Sequence, residues 1–204
     1  MKGNIIRPFI HIISSIYNIE KDITFDRDVI RHSVAVTDLS LKIAIKMGLS
    51  NIDLEDILFA GLLHDIGKRK VPQELRDRPK NTMNNEEWEQ VQQHVLHSDV
   101  LAEKILFECF DCFCSDRAYS ILNGIFYHHE RCDGNGYPTR LIKQEIPLIS
   151  LIIAVPDVYD ALTNPRPYRD WVKTKEEALE CIEGEKQKYD EKILKIFLEV
   201  INGK

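Results

Sequence analysis

The chain has 204 residues, of which 44% are hydrophobic and 29% are charged, and its net charge at pH 7 is −6. This length is sufficient for one large domain with a hydrophobic core, and the composition is typical of globular proteins. The negative charge argues against a protein that binds duplex nucleic acid, because such proteins usually present a basic face to the phosphates.

The N-terminal segment, residues 1–25, is expected to be a short helical extension. Its apolar side chains recur at helical spacing but are interrupted by Arg7, Pro8 and His11, and no signal-peptide run or cleavage site is present. The longest apolar run elsewhere, residues 148–155, is shorter than the ~20 residues that span a bilayer. Five cysteines, an odd number, favour a reducing compartment. We therefore expect a cytoplasmic protein without a membrane span, and the sequence leaves open whether the extension packs on its own bundle or mediates a homodimer.

The predicted elements are all helices, because apolar residues recur at helical spacing and no stretch alternates as a strand does. The first helix has a face of Val29, Val36, Leu39, Ile43 and Met47 and ends at Gly48. Six more helices are predicted over residues 53–67, 84–95, 116–129, 147–163, 174–183 and 191–201, with a loop at 71–80 and a sharp turn at 133–138. The fold class is all-α, with residues 26–204 forming a single helical-bundle domain.

A histidine–aspartate pair, His64-Asp65, closes the apolar segment Phe59–Leu63. An unpaired carboxylate is costly to bury there, and a metal ion would compensate it. One aspartate can offer an oxygen to each of two metals, so the pair suits a two-metal centre. Alone, the dipeptide is weak evidence.

Further residues of ligand type lie at helical positions that can converge on this pair. They are His32, His94, His128, His129 and Asp157. Histidine and carboxylate ligands together favour transition metals such as iron, manganese or zinc over magnesium.

The chain resembles the HD-GYP family of cyclic di-GMP phosphodiesterases, a branch of the HD phosphohydrolase superfamily. The matching motifs are His32-Ser33, Leu63-His64-Asp65-Ile66-Gly67-Lys68, His94, His128-His129-Glu130, Asp133-Gly134-Asn135-Gly136-Tyr137-Pro138, Ile146-Pro147-Leu148, Asp157-Val158-Tyr159-Asp160-Ala161-Leu162-Thr163 and Arg166-Pro167-Tyr168-Arg169. They extend over roughly residues 28–201 and occur in the family's order.

The resemblance implies a role for each matching residue. One metal would be held by His32, His64, Asp65 and Asp157, and Asp65 would bridge to a second metal held by His94, His128 and His129. A third metal in some members uses a residue at the position of Asp28, where the family has the longer glutamate. The cofactors implied are two or three divalent transition metal ions, with iron or manganese favoured.

The implied mechanism is attack on phosphorus by a hydroxide that bridges the metals. Asp65 and Lys68 are the predicted catalytic residues, and Lys68 would stabilise charge on the phosphoryl oxygens. Substrate binding is assigned to Lys68, Gly134, Gly136, Tyr137, Arg166 and Arg169. The substrate would be cyclic di-GMP, opened to linear pGpG and then to GMP.

Several alternatives stay open at this point. His97 lies three residues from His94 and competes with it as a ligand, while Asp160 and Glu130 can orient their neighbours instead of touching metal or substrate. Cys109, Cys112 and Cys114 can be interpreted as a thiolate site or, more simply, as packing residues. At the level of function, the alternatives are hydrolysis of another cyclic dinucleotide and a non-catalytic module that only binds one.

Overall fold

The computed structural model describes residues 27–109, 115–165 and 171–203. The helices of these ranges are α1 (Arg27–Met47), α2 (Asn51–Leu63), α3 (Gln73–Arg76), α4 (Asn85–Gln92), α5 (His94–Cys109), α6 (Ser115–Phe126), α7 (Leu148–Thr163), α8 (Lys175–Gly184) and α9 (Glu191–Ile201). Short 3-10 turns cover Ile66–Lys70, Lys80–Thr82 and Lys186–Lys188, and the described residues contain no strand, only an isolated bridge between Asp133 and Ile142.

The bundle is arranged around α1 and α7. Helix α1 packs against α2, α7 and α9, while α5 packs against α6 and against the 3-10 turn that follows Asp65. The core consists of fully buried aliphatic and aromatic side chains from these helices, among them Val36, Ile43, Ile57, Leu63, Ile105, Ile121, Ile125, Ile152, Ile153 and Phe197.

Local sequence signals explain several helix ends. Gly48 has a φ of +75°, and the N–H groups of Gly48 and Leu49 donate to the carbonyls of Ile45 and Ala44, which is a Schellman C-cap. Ser50 with Asp53, and Asn84 with Glu87, form reciprocal capping boxes at the N-termini of α2 and α4. The predicted end of α1 and the predicted cap of α4 are therefore confirmed.

Other predicted helix bounds are wrong. Helix α2 ends at Leu63 rather than near Gly67, α6 ends at Phe126 rather than at His129, and the helix predicted through Val95 is divided at Gln93 into α4 and α5. The predicted loop at 71–80 contains α3. The three helix ends, at Leu63, Gln92 and Phe126, lie within two residues of His64, His94 and His128, three histidines of the site described below.

Pro156 lies in the middle of α7, immediately before Asp157. A proline lacks the N–H that would bond to the carbonyl four residues earlier, so the helix loses one hydrogen bond beside the site. The predicted extension of residues 1–25 lies outside the described residues, and the predicted domain division stays a prediction.

Candidate metal centre

The structure brings the predicted histidine and aspartate ligands together at one place inside the bundle. They form two groups, in each of which the ligand atoms lie within 4.8 Å of one another. The first group is His32, His64, Asp65 and Asp157, and the second is Asp65, His94, His128 and His129. All of these residues are buried except His129, which is partly buried. Their proximity is a structural finding, and their coordination of metal stays a prediction.

Three of the imidazoles are oriented by hydrogen bonds to backbone carbonyls at the C-terminal ends of helices. His64, His94 and His128 each follow the C-terminus of α2, α4 or α6, where backbone carbonyls lack a partner within the helix. Their Nδ1 atoms donate to the carbonyls three residues earlier, Gly61 at 2.7 Å, Val91 at 2.8 Å and Ile125 at 2.5 Å. A proton on Nδ1 leaves the lone pair on Nε2, the arrangement of a metal-ligating histidine.

Asp65 lies between the two groups and offers a different oxygen to each. Its Oδ2 lies 3.2 Å from His32 Nε2 and 3.4 Å from His64 Nε2. Its Oδ1 lies 3.5 Å from His94 Nε2 and 3.9 Å from His128 Nε2. Ligand atoms that share one ion at bond lengths of about 2.1 Å are themselves roughly 3–3.5 Å apart. The separations therefore suit a carboxylate that bridges two ions.

His32 is held by two carboxylates of α7, one at each ring nitrogen. Its Nδ1 lies 2.5 Å from Asp160 Oδ2, and its Nε2 lies 3.1 Å from Asp157 Oδ1. The other oxygen of Asp160 accepts a hydrogen bond of 2.7 Å from the Asn164 side chain. The i, i+3 spacing of Asp157 and Asp160 places both carboxylates on the helix face that meets α1.

The two groups shift histidine pKa values in opposite directions. Burial lowers the pKa of His32, but hydrogen bonds with Asp157, Asp160 and Asp65 outweigh burial and raise it to about 10. Burial lowers the pKa of His94 to about 4, because the charge of Asp65 compensates only in part. Burial also lowers the pKa values of His128 and His129 well below the ordinary value.

The carboxylates of the centre stay ionised. Burial alone would raise the pKa of Asp65, but the charges of Lys68 and His64 and a hydrogen bond from His32 lower it well below the usual range. The pKa of Asp157 is likewise lowered despite burial, chiefly by its hydrogen bond with His32. Two buried anions, Asp65 and Asp157, are thus surrounded by imidazoles. Those of His94, His128 and His129 are neutral at ordinary pH.

The residues present fit divalent metal ions. Three buried atoms that point into the cluster, His64 Nε2, His128 Nε2 and Asp65 Oδ1, have no hydrogen-bond partner among the described residues. Leaving such atoms unsatisfied in a protein interior costs free energy unless something binds them. In addition, His94 Nε2 and His129 Nε2 lie only 3.1 Å apart, a separation that suits two ligands of one ion.

Lys68 and Gly67 follow Asp65 in a 3-10 turn. Lys68 Nζ lies 2.5 Å from Asp65 Oδ2, and its side chain is 26% exposed, so the ammonium lies where the centre opens to solvent. A Cβ atom on Gly67 would lie 2.3 Å from the carbonyl oxygen of His94 and from the amide nitrogen of Ser98. The Gly67 N–H donates to Ser98 Oγ at 2.8 Å. Ser98 thus fixes the turn against α5.

The predicted substrate loop is held by the buried carboxylate of Glu130. Its oxygens accept hydrogen bonds from the backbone N–H groups of Thr139, Arg140 and Leu141 at 2.7–3.0 Å. A Cβ on Gly136 would lie 2.4–2.6 Å from backbone atoms of residues 129–131, so this glycine is required by packing within the loop. Gly134 has a φ of +73° and forms the turn. Contact of either glycine with substrate stays a prediction.

Tyr137 lies over the second group. Its ring stacks on His129 with 4.6 Å between centroids and lies 6.3 Å from the His94 ring. The peptide bond between Tyr137 and Pro138 is cis, and burial raises the pKa of the Tyr137 phenol well above its usual value. Tyr137 thus lies beside two of the predicted metal ligands, while its contact with substrate stays a prediction.

Other predicted site residues are not part of the cluster. Asp28 belongs to neither group; its carboxylate is 67% exposed and lies 3.6 Å from Arg31 Nη2. His97 is also in neither group, so the choice of His94 over His97 agrees with the geometry. Arg166 and Arg169 lie outside the described residues, as do the side chains of the cysteine segment 109–114. Two residues beside Tyr137 were not predicted as site residues from the sequence. The Trp88 ring lies 6.0 Å from the Tyr137 ring, and Lys80 Nζ lies 4.4 Å from the centroid of the Trp88 ring.

The sequence is similar to that of a known protein family over most of its length. The family model described as HD domain matches residues 18–193, which is most of the chain. The chain belongs to the HD domain family. A cyclic di-GMP phosphodiesterase of Thermotoga maritima is 36% identical over 176 residues, and one of Pseudomonas aeruginosa is 34% identical over 146 residues. These relatives confirm the assignment to the HD-GYP branch.

The alignments extend over more of this chain than of the relatives. They include 86% of this HD domain chain and 45% of the Thermotoga maritima protein, and 72% and 33% for the Pseudomonas aeruginosa protein. A 3'3'-cGAMP-specific phosphodiesterase of Vibrio cholerae is 36% identical over 68% of this chain and 30% of its own length. The chain thus spans less than half the length of these curated relatives.

Solved structures support the fold. The HDG"Y"P protein Bd1817 from Bdellovibrio bacteriovorus matches with a TM-score of 0.67 and 20% identity, over 94% of this chain and 58% of that one. The cyclic GMP-AMP specific phosphodiesterase V-cGAP3 of Vibrio cholerae matches with a TM-score of 0.59 and 18% identity, over 84% and 44%. The expected all-α fold of an HD-type domain is confirmed. Among the described helices, none has the length and apolarity needed to cross a membrane.

Proposed function

We propose that this chain is a metal-dependent phosphodiesterase domain that hydrolyses cyclic di-GMP to linear pGpG and then to GMP. The observation that carries the proposal is the position of Asp65, whose two oxygens face two separate groups of imidazole nitrogens. Two metals that share a carboxylate bridge are a recurrent arrangement for displacement at phosphorus. The curated relatives named as cyclic di-GMP phosphodiesterases support the choice of substrate.

Two iron or manganese ions are the proposed cofactors. His32, His64, Asp65 and Asp157 would hold one ion, and Asp65, His94, His128 and His129 would hold the other. Such ions supply activation of water and neutralisation of phosphate charge. Mixed imidazole and carboxylate ligands favour these metals over magnesium. We propose two ions and not three, since Asp28 is exposed beside Arg31 and outside both groups.

The surrounding residues would bind and orient the substrate. Lys68, whose ammonium is at the opening of the centre, would donate hydrogen bonds to phosphoryl oxygens and stabilise their developing charge. Tyr137, stacked on His129, would contact the dinucleotide from the loop that also contains Gly134 and Gly136. The resemblance assigns phosphate binding to Arg166 and Arg169, for which the guanidinium fork is suited.

The decisive experiment is a turnover assay. The protein is purified without oxygen, loaded with iron(II) or manganese(II), and incubated with cyclic di-GMP while pGpG and GMP are separated by chromatography. Metal-dependent appearance of pGpG is expected, and a chelator should abolish it. Tight binding of cyclic di-GMP without any product would contradict the proposal and favour a module that only binds the nucleotide.

A second candidate substrate is 3'3'-cGAMP. It is favoured by the Vibrio cholerae relative that is 36% identical and named as specific for this dinucleotide. Parallel assays with equal concentrations of the two cyclic dinucleotides decide between them, because the preferred substrate has the higher kcat/KM. The cytoplasmic location stays a prediction, and whether the chain forms a homodimer stays open, as the sequence left it.

A further inference from the structure

An aromatic wall continues outward from the metal centre. The Trp88 ring lies 6.0 Å from the Tyr137 ring at an angle of 81°, and Tyr137 in turn stacks on His129. Trp88 is partly exposed on α4. Its indole is thus separated from a predicted metal ligand by a single aromatic ring.

A lysine covers the indole. Lys80 Nζ lies 4.4 Å from the centroid of the Trp88 ring, within the range of a cation–π contact. The backbone that presents Lys80 is anchored to α4, because Arg78 donates to Glu87 Oε1 at 2.7 Å and to the carbonyl oxygen of Thr82 at 2.6 Å. The neighbouring Thr82 hydroxyl donates to the carbonyl oxygen of Pro79 at 2.7 Å. Hydrogen bonds within residues 78–82 and to α4 therefore fix the backbone position of Lys80, while its side chain remains exposed.

We propose that Trp88 and Lys80 form a guanine-binding subsite, in which the base stacks on the indole and the Lys80 ammonium donates to its O6 and N7. This inference rests on the proposed function and specifies how its substrate is positioned. Indole faces stack on purines, and lysine is a donor that suits the paired acceptors of guanine. Adenine presents an amino donor at the position of O6, so the same lysine disfavours it.

The position of the subsite agrees with the shape of the substrate. In a cyclic dinucleotide each base is attached through a ribose, so a base platform must lie beside the phosphate centre and not on it. Trp88 satisfies this condition because Tyr137 and His129 separate it from the bridging aspartate. A base that stacks on the face now covered by Lys80 would displace the flexible ammonium to the base edge, where the guanine acceptors lie.

The first test is kinetic and uses Trp88→Leu. For cyclic di-GMP we expect KM to rise roughly 5- to 100-fold, the range that corresponds to loss of one stacked base, while kcat changes by less than about twofold. Trp88→Phe should restore much of the affinity, since it keeps a stacking ring. Hydrolysis of bis(p-nitrophenyl) phosphate, which has no base, should be unaffected. Tyr119→Leu, which removes an exposed aromatic ring of α6, is the matched control and should leave both activities unchanged.

The second test concerns the base edge. Lys80→Met should lower kcat/KM for cyclic di-GMP about tenfold and leave that for cyclic di-AMP unchanged or raised, so that discrimination between guanine and adenine decreases. Lys42→Met, which removes an exposed lysine of α1, is the matched control. Equal losses for both dinucleotides would contradict a role in reading guanine.

A binding test separates this inference from the proposed function. The chain contains two tryptophans, so Trp171→Phe leaves Trp88 as the single indole fluorophore. A bis-phosphorothioate analogue of cyclic di-GMP should quench its fluorescence. Quenching without turnover of cyclic di-GMP by the wild type would overturn the function and support the subsite. Turnover without quenching, or a Trp88→Leu variant that loses the base-free activity equally, would overturn the subsite and leave the function intact.

Discussion

The two halves of the metal centre share Asp65 but differ in chemical character. In the first half, Asp157 and Asp160 flank His32 and raise its pKa to about 10. In the second half, three imidazoles are grouped with one carboxylate, that of Asp65, and burial lowers the pKa of His94 to about 4. Without metal, His32 in the first half therefore stays protonated, whereas the second half presents neutral imidazole nitrogens that can bind a metal ion. One buried cluster can thus provide two sites with different proton requirements.

The largest effect is expected from Asp65→Asn, since Asp65 belongs to both halves. Loss of the charge should abolish binding of both ions and reduce turnover to the background rate, because the remaining nitrogens have no shared anion. Metal content measured by plasma mass spectrometry and the pGpG assay check this. Retention of both ions by this variant would contradict the bridging role.

The next effect concerns the second half alone. His94→Ala should leave about one ion per chain and little activity, because one half loses a ligand while the first keeps its full set. His97→Ala is the matched control on the same helix, and we expect wild-type metal content and turnover from it. If the two variants behaved in the opposite way, the assignment of the ligand to His94 would be wrong.

A smaller effect is expected from Asp160→Asn in the first half. Asp160 does not belong to either ligand group, but it holds His32 Nδ1. Loss of such an orienting carboxylate typically lowers metal affinity about 10- to 100-fold. Affinity measured by competition with a fluorescent chelator checks this value. Asp99→Asn, which changes a partly buried aspartate of α5, should leave the affinity unchanged.

The smallest effect is a difference in proton release. Near neutral pH His32 is protonated without metal, because its pKa of about 10 lies above the solution pH, whereas His94, with a pKa of about 4, is not. Metal binding to the first half should therefore release about one proton and should strengthen as pH rises. Calorimetry of His94→Ala in buffers of different ionisation enthalpy measures this release. Absence of a buffer dependence would contradict the contrast between the halves.

The sequence predicted which histidines and aspartates lie together better than it predicted the helix ends that present them. Periodicity and motif spacing were sufficient for the all-α fold and for the set of residues that converge on Asp65, because those residue types have few other reasons to recur in buried helices. The helix ends at Leu63, Gln92 and Phe126 were missed. Apolar periodicity continues across each end, and only tertiary packing makes the chain stop there.

Those missed ends matter for the chemistry. If α2 continued to Gly67, the Gly61 carbonyl would also accept a helical hydrogen bond from the N–H four residues later, which would compete with the bond it accepts from His64 Nδ1. The contact between Trp88 and Tyr137 was missed for a different reason. It joins residues far apart in the chain through side-chain packing, for which a single sequence contains no signal.

The close approach of Gly67 to α5 has a consequence for how this protein can fail. A single methyl group added there would strike the backbone of His94 and Ser98. The 3-10 turn follows Asp65 and α5 begins with His94, so neither segment can shift without moving a predicted ligand. A Gly67→Ala mutation would therefore disable the centre although every ligand residue remained unchanged in the sequence. Its effect can be recognised only from the short distance between the main chains of the turn and α5.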